Sequence, residues 1–384
     1  MRLAFRLPRL PILRGQSPAA RSLPVRFDRA TGRITVTAGP QRFWIESDDT
    51  TLPGRHATVD FAVYGLAGLS MSAGLSLTID APVSRAMAST LARMTQAFDL
   101  LALPRLHPLR ITLTQVVDDP AVPVPDRGLL CLSGGIDSTF AATEARHHGV
   151  THGLLIAGAD YPDAECAGYR ELRQRVDGIA RRLGLQLTEV RTTIRTVPFR
   201  WDMLHALNLA MCLTFLSPDF RQGAFALDNT LLQDLARHPW GNSAGLASTL
   251  GQRSFPIHSY GQNHDRVEKL RAIAATDPGL LPLLSVCWRD TAQGGNCGAC
   301  TKCVMTRLNL LAISQPEAAM FPDAPPLQAA LSALRPSRKP RVARGELLRL
   351  SENLWHLPDD PRHDALKGIL RDRVAALRRR LPKT

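Results

Sequence analysis

From Leu129 to Asp228, short apolar runs alternate with stretches of helical period, and this alternation constrains the fold more than any other feature of the chain. Leu129–Ser133, Gly153–Ala157, Leu185–Val190 and Ala224–Asp228 read as strands. Between them lie a helix running to about His148, a helix over Glu165–Leu183 and a helix over Trp201–Leu216. Leu172, Val176, Ile179 and Leu183 fall on one stripe of the second helix, as packing on a sheet requires. Strands that are apolar throughout and separated by helices belong to a parallel sheet covered on both sides. The reading is an α/β fold with a doubly wound parallel sheet, which binds ligands beyond the carboxyl ends of its strands. The most apolar stretch, Trp201–Leu216, is broken by Asp202, His205 and Asn208 and is too short for a membrane span. A membrane partner is not expected.

The flanking regions read differently. Residues 1–120 suggest a smaller N-terminal α+β accessory domain. Its strand candidates are Arg33–Thr37, Arg42–Glu46, Thr58–Tyr64, Leu75–Asp80 and Leu109–Val116. One helix follows Pro82, with Val83, Met87, Leu91, Met94, Phe98 and Leu101 on one face. The segment 121–128 reads as a linker, 129–315 as the α/β domain, and 316–384 as a proline-rich arm over 316–340 ending in a basic helix. In that helix, over 362–381, Leu366, Leu370, Val374, Leu377 and Leu381 form an apolar face, with Arg371, Arg373, Arg378, Arg379 and Arg380 around it.

Hydrophobic residues make up 45% of the chain and charged residues 21%, which excludes general disorder and collagen. The net charge of +13 is compatible with an anionic partner. Of the 47 basic residues only five are Lys, so the charge reflects coding bias as much as function, and it does not favour nucleic acid. Seven cysteines, four of them clustered, suit a reducing compartment such as the cytoplasm and a metal site better than a disulfide framework.

The first motif is Ser133-Gly134-Gly135-Ile136-Asp137-Ser138-Thr139, at the end of an apolar strand and the start of a helix. Two glycines permit a tight turn with no side chain in the way. Backbone N–H groups and the helix N-terminus then make an anion site suited to polyphosphate. Ser133, Ser138 and Thr139 can donate hydroxyls, and Asp137 can hold Mg²⁺. The loop is neither the G-x-x-x-x-G-K-[ST] nor the G-x-G-x-x-G type.

The second motif joins Cys287 to Cys297, Cys300 and Cys303. Four thiolates satisfy tetrahedral Zn²⁺ completely and leave no open position, so such a site is structural. The C-x₂-C-x₂-C run also matches an iron–sulfur pattern, although Val304 rather than Pro follows the last cysteine.

The first motif resembles the pyrophosphate loop of the ATP-pyrophosphatase superfamily, whose fold is adenine nucleotide alpha-hydrolase-like. Together, the two motifs resemble the 7-cyano-7-deazaguanine synthase family, which pairs S-G-G-x-D-S with a C-x₈-C-x₂-C-x₂-C zinc site. Here nine residues separate Cys287 from Cys297. The resemblance covers about residues 128–315; residues 1–127 and 340–384 are additions, and 229–258 shows no match to the family's substrate loop. It implies a ligase that adenylates a carboxylate with ATP, releases pyrophosphate and passes the acyl group to ammonia or an amine. The carboxylate would be a deazaguanine, another small molecule or one carried by a protein. By the same resemblance Ser133–Ser138 holds the pyrophosphate, adenine lies near Leu155–Ala157 with Ala157 a contact, and a homodimer is compatible. Two other readings stand beside it: a sulfurtransferase of the superfamily acting on tRNA or a carrier, and a non-catalytic nucleotide-binding protein.

Further residues are singled out by position. Asp228 and Asn229 end a strand where ligand groups sit in this fold class. Lys269 and Lys302 are rare lysines that could stabilise transition-state charge on phosphate. The expected catalytic set is Asp137, Lys269 and Asp228. His258, Tyr260 and His264, after a short strand over Ser254–Ile257, could reach a substrate. Asp160 and Asp163 could support Mg²⁺, and Trp288 reads as packing beside the first metal ligand.

Overall fold

The computed structural model describes residues 22–119, 125–161, 165–237, 240–287, 295–335, 337 and 340–381. Among them the strands are β1 (Leu23–Ala30), β2 (Arg33–Ala38), β3 (Gln41–Ser47), β4 (Leu77–Ser84), β5 (Ile111–Val117), β6 (Gly128–Cys131), β7 (Val150–Ala157), β8 (Gln186–Thr192), β9 (Gln222–Ala226) and β10 (Ile257–Tyr260). The α-helices are α1 (Leu52–Arg55), α2 (Asp60–Ala73), α3 (Arg85–Leu101), α4 (Ile136–Ala145), α5 (Ala167–Arg182), α6 (Trp201–Phe215), α7 (Leu231–Arg237), α8 (Ala244–Ala247), α9 (Arg266–Thr276), α10 (Thr301–Ala312), α11 (Leu327–Ala333), α12 (Pro340–His356) and α13 (Asp364–Arg380).

All ten strands form one sheet in the order β10-β9-β6-β7-β8-β3-β2-β1-β4-β5. The run from β10 to β8 is parallel, as are β1-β4-β5, while β8/β3, β3/β2 and β2/β1 are antiparallel. Alternate side chains of the parallel strands enter different cores. Leu129, Cys131, Leu154 and Val190 join a core built with α2 and α6 through Phe61, Leu207, Met211 and Phe215. Leu130, Leu132 and Leu155 join a core built with α4, α5 and α9 through Phe140, Val176, Ile179 and Leu270. Helices therefore cover both faces, which explains why these strands are apolar throughout. The N-terminal unit continues the same sheet, because Ile45 and Ser47 of β3 pair with Thr192 and Val190 of β8. Part of the 121–128 linker lies outside the described residues.

Thr58–Tyr64, expected as a strand, is instead the entry to α2. Val59, Phe61 and Val63 alternate as strand residues do, but Val59 is the N-cap and the other two lie in a helix buried from Asp60 to Met71 on all sides. A helix with no solvent face has no amphipathic period to read. Its glycines let it pack closely: a Cβ on Gly68 would lie 2.1 Å from the Phe199 ring. The strand expected over Ser254–Ile257 begins only at Ile257.

The arm over 316–340 contains α11, and α12 follows it. The basic helix forms as α13. Leu366, Leu370, Val374 and Leu377 are buried with Met305 and Leu308 of α10 and Leu350 of α12. Arg373 donates to the Ser332 and Leu334 carbonyls at 2.9 and 2.7 Å, so part of its basic face is structural. Among the described residues no helix is long and apolar enough to cross a membrane.

Candidate functional site

The parallel half of the sheet, read as β8-β7-β6-β9-β10, reverses its winding between β6 and β9, the position where sheets of this class bind ligands. The loop after β6 holds the first motif. Gly134 takes φ +75°, where a side chain would be strained, and a Cβ there would lie 3.0 Å from Val176 Cγ2. The Gly134 carbonyl accepts from Ser285 N–H at 2.8 Å, which pins the turn. Gly135 is the N-cap of α4. Ser138 Oγ accepts from Ser133 N–H at 3.2 Å and lies 3.1 Å from Ser133 Oγ. The Ser133 side chain is exposed, whereas Ile136, Ser138 and Thr139 are buried. Thr139 Oγ1 has no partner among the described residues. The first-turn amides of α4 lack intrahelical acceptors, as at any helix start, and stay available to an anion.

Asp137, on the first turn of α4, faces two cations rather than open solvent. Arg266 donates to its Oδ2 at 2.7 Å and Lys269 to its Oδ1 at 2.9 Å. Burial alone would raise the carboxyl's pKa, but the Arg266 and Lys269 charges outweigh it and hold it well below the usual carboxylate range. Both oxygens are thus engaged by cations, a poor setting for the Mg²⁺ expected there.

Lys269 is only 1% exposed and also donates to the Leu227 carbonyl at 2.7 Å, at the mouth of β9. Gly261, with φ +95°, passes so close that a Cβ would lie 3.0 Å from Lys269 Cε. Helix α9 sets both cations. Asp265 and Glu268 form a reciprocal capping box, which starts the helix just before Arg266 and puts Lys269 one turn later. Glu352 of α12 accepts from the Arg266 and Val267 N–H groups at 2.8 and 3.3 Å, and His356 bonds Asp265 at 2.7 Å. Arg349 adds positive charge at Asp137, and Lys302 on α10 is within electrostatic reach of Arg266, Arg349, Asp137 and Asp160.

The other expected residues divide. Asp228 accepts from Trp240 Nε1 at 3.0 Å and Asn242 Nδ2 at 3.3 Å, and its charge acts on Arg266. Asn229 is buried against Asp234 at 3.0 Å and is structural. Ala157, at the end of β7, has its side chain in the core, so only its backbone could touch a ligand. His264 packs on Phe140, with ring centroids 4.9 Å apart, while His258 is exposed and Tyr260 half-buried on β10. Asp160 is exposed; Asp163 and Trp288 lie outside the described residues. Sequence reasoning missed Arg266, Arg349 and Glu352. The Asp265-x-x-Glu268 pattern was the available signal, since it marks a helix start and puts residues 266 and 269 on one turn.

The four cysteines converge. Their sulfurs all lie within 4.8 Å of one another, with Cys300–Cys303 at 3.4 Å and Cys287–Cys300 and Cys297–Cys303 at 3.9 Å. Sulfurs about 2.3 Å from a tetrahedral zinc stand about 3.8 Å apart, so the group fits such an ion. Hydrogen bonding among the gathered thiols pulls Cys300 down to about 5 and pushes Cys303 up. Asn296 ties the knuckle, accepting from Val286 and Cys287 N–H at 2.9 and 3.2 Å and donating to the Leu284 carbonyl at 2.8 Å.

Arg307 braces the knuckle from below. It is 1% exposed, forks onto Glu317 at 2.7 and 2.8 Å and donates to the Gly298 carbonyl at 3.0 Å. Arg307→Ala should cost about 1–3 kcal/mol by leaving the buried Gly298 carbonyl without its donor, measurable as a lower urea midpoint.

No protein-family model matches the chain, and neither does any curated protein sequence. The functional reading therefore rests on the residues and their geometry.

Proposed function

We propose that the protein is an ATP-dependent ligase that adenylates a carboxylate and transfers the acyl group to ammonia or an amine. The observation that carries this reading is the pairing of a glycine turn at the sheet's switch point with Arg266 and Lys269 gathered on Asp137 beside it. In the first step a carboxylate oxygen attacks the α-phosphorus of ATP, the bond to the β-phosphate oxygen breaks, and pyrophosphate leaves. In the second, the nitrogen nucleophile attacks the acyl carbon, AMP leaves with the oxygen, and the nitrogen loses a proton.

The chain's own contribution is positioning and charge. The amides at the start of α4 and the Ser133 hydroxyl face the departing pyrophosphate. Arg266 and Lys269 oppose its growing negative charge, and fixed charges in a cleft act without reorganising at the moment of reaction. Asp137 is then a positioning residue that keeps both cations aimed at the loop. The thiol knuckle, loaded with zinc, supports the loop through the Ser285–Gly134 hydrogen bond. No enzyme side-chain nucleophile is required.

The test is ATP–pyrophosphate exchange screened across carboxylates, with deazaguanine acids among them. Exchange should depend on one carboxylate class and vanish in Asp137→Ala. If no carboxylate supports exchange while labelled ATP still binds, the protein is a nucleotide-binding protein without this activity.

A further inference from the structure

Helix α7 is amphipathic with its polar side turned inward. Asp234 is buried and accepts from Asn229 Nδ2 at 3.0 Å and from the Ala244 N–H at 2.9 Å. The first turn is closed by a capping box, in which the Thr230 N–H donates to Gln233 Oε1 at 3.0 Å and the Gln233 N–H to Thr230 Oγ1 at 3.1 Å. The Leu231 N–H donates to the Gln262 carbonyl at 3.0 Å. The apolar side faces outward. Leu231, Leu232 and Leu235 are 54%, 77% and 72% exposed, and spacings of three and four residues put them on one stripe. Polar bonds thus hold the helix in place, and side chains left in water add little to the stability of the single chain.

The stripe continues onto a second helix. Gln233 Nε2 donates to Glu352 Oε2 of α12 at 3.1 Å, and Trp355, one turn further along α12, is 85% exposed. Eight large hydrophobic side chains are exposed among the described residues, and four of them gather around this one contact. Scattered exposed leucines are ordinary, whereas a gathered set marks an interaction surface. The four expose about 500 Å² of apolar surface, near the top of the roughly 300–600 Å² found for the largest patch on a typical monomer. A standard interface covers about 800 Å² on each partner, and about 65% of it is apolar where two copies of one chain meet. The face therefore supplies the apolar part of one half of such an interface.

The chemistry of the face selects its occupant. Side chains exposed to this degree stand out from the surface, and a small molecule needs a hollow. A helix that lies on a membrane carries lysine and arginine on its polar side, whereas α7 has Gln233 and Asp234 there, both bonded to protein. No charge interrupts the leucine stripe, so the same stripe of a second copy can meet it across a two-fold axis without burying an ion.

We propose that α7 and the end of α12 form a two-fold interface between two copies of the chain, with Trp355 of each packed on the leucines of the other. This interface uses neither ATP nor a carboxylate and does not depend on the ligase reading.

Sedimentation velocity of the full chain should show a monomer–dimer equilibrium with a Kd of about 1–100 µM, as suits an interface near the standard size with few direct hydrogen bonds. Each copy carries a net charge of +13, so repulsion opposes the dimer. Raising NaCl from about 0.1 to 1 M screens that repulsion and should tighten the dimer at least about threefold. The double variant Leu232→Glu/Leu235→Glu should weaken it at least about tenfold. The melting temperature of the monomer should change by less than about 2 °C, because both side chains are exposed. If that variant does not fold, hydroxyl-radical footprinting of the wild type at low and high concentration decides the matter: Leu231, Leu232, Leu235 and Trp355 should be protected in the dimer alone. The proposal is overturned if the chain stays monomeric throughout this range, if the dimer loosens in high salt, if the folded variant dimerises as the wild type does, or if the four side chains react alike in monomer and dimer. None of these readouts involves ATP, so their failure is separate from failure of the ligase reading.

Discussion

Lys269→Met should lower ATP–pyrophosphate exchange by about 10²–10³-fold, the usual cost of removing one preorganised donor to developing charge. Methionine matches the lysine stem out to Cε, so packing beside Gly261 survives while the ammonium is removed. Asp137 keeps Arg266, while the Leu227 carbonyl loses its Lys269 donor, a stability cost of about 1–3 kcal/mol. A small fall in melting temperature with a large fall in exchange is therefore the expected signature. Exchange within about fivefold of wild type would remove Lys269 from the chemistry and leave it a buried brace.

Asp137 provides the companion pH experiment. Its folded pKa lies below its unfolded value near 3.9. The ionised carboxylate therefore stabilises the fold fully above that unfolded value. The contribution is lost as pH falls through the window down to the depressed folded pKa. Asp137→Asn should flatten the acid limb of stability in urea titrations below about pH 5, while stability at neutral pH falls because two buried cations lose their counter-charge. An unchanged acid limb would mean that the ion pair seen here does not persist in solution.

The parallel strands were legible because burial on both faces writes them as continuous apolar runs, and every expected strand from Leu129 to Asp228 forms within a few residues of its expected bounds. The loop was legible because a turn with φ +75° demands glycine at position 134. The converging cysteines were legible from spacing alone. What escaped reading has physical reasons. Helix α2 is apolar on every side, so its period vanished, and Val59, Phe61 and Val63 imitated a strand. The antiparallel pairing of β3 with β8 joins residues nearly 150 positions apart in sequence, and nothing local encodes it. Arg266 was hidden for another reason: in a chain with 42 arginines, one more carries no information until α9 turns it onto Asp137. Lys269 stood out because lysine is scarce here.

Removing the metal should damage more than the knuckle. A structural zinc in a four-thiolate site has an apparent binding free energy of roughly 10–16 kcal/mol, which is folding free energy for the segment that holds it. Here that segment is not isolated. Cys300 and Cys303 are buried in the same core as Phe140 and Val176, and the chain entering Cys287 carries Ser285, whose N–H holds the Gly134 carbonyl at 2.8 Å. A metal held by these thiols would brace the glycine loop through one strand of chain. Purified protein should hold one zinc per chain, be colourless and release no acid-labile sulfide. Cys300→Ser or a strong chelator should raise amide exchange first over 284–287 and 295–303 and then over 133–138, with pyrophosphate exchange lost in step. Iron with sulfide in place of zinc would turn the reading toward sulfur transfer. Exchange protection at 133–138 that outlasts metal removal would show that the loop stands without the knuckle, and that Ser285 only reports its position.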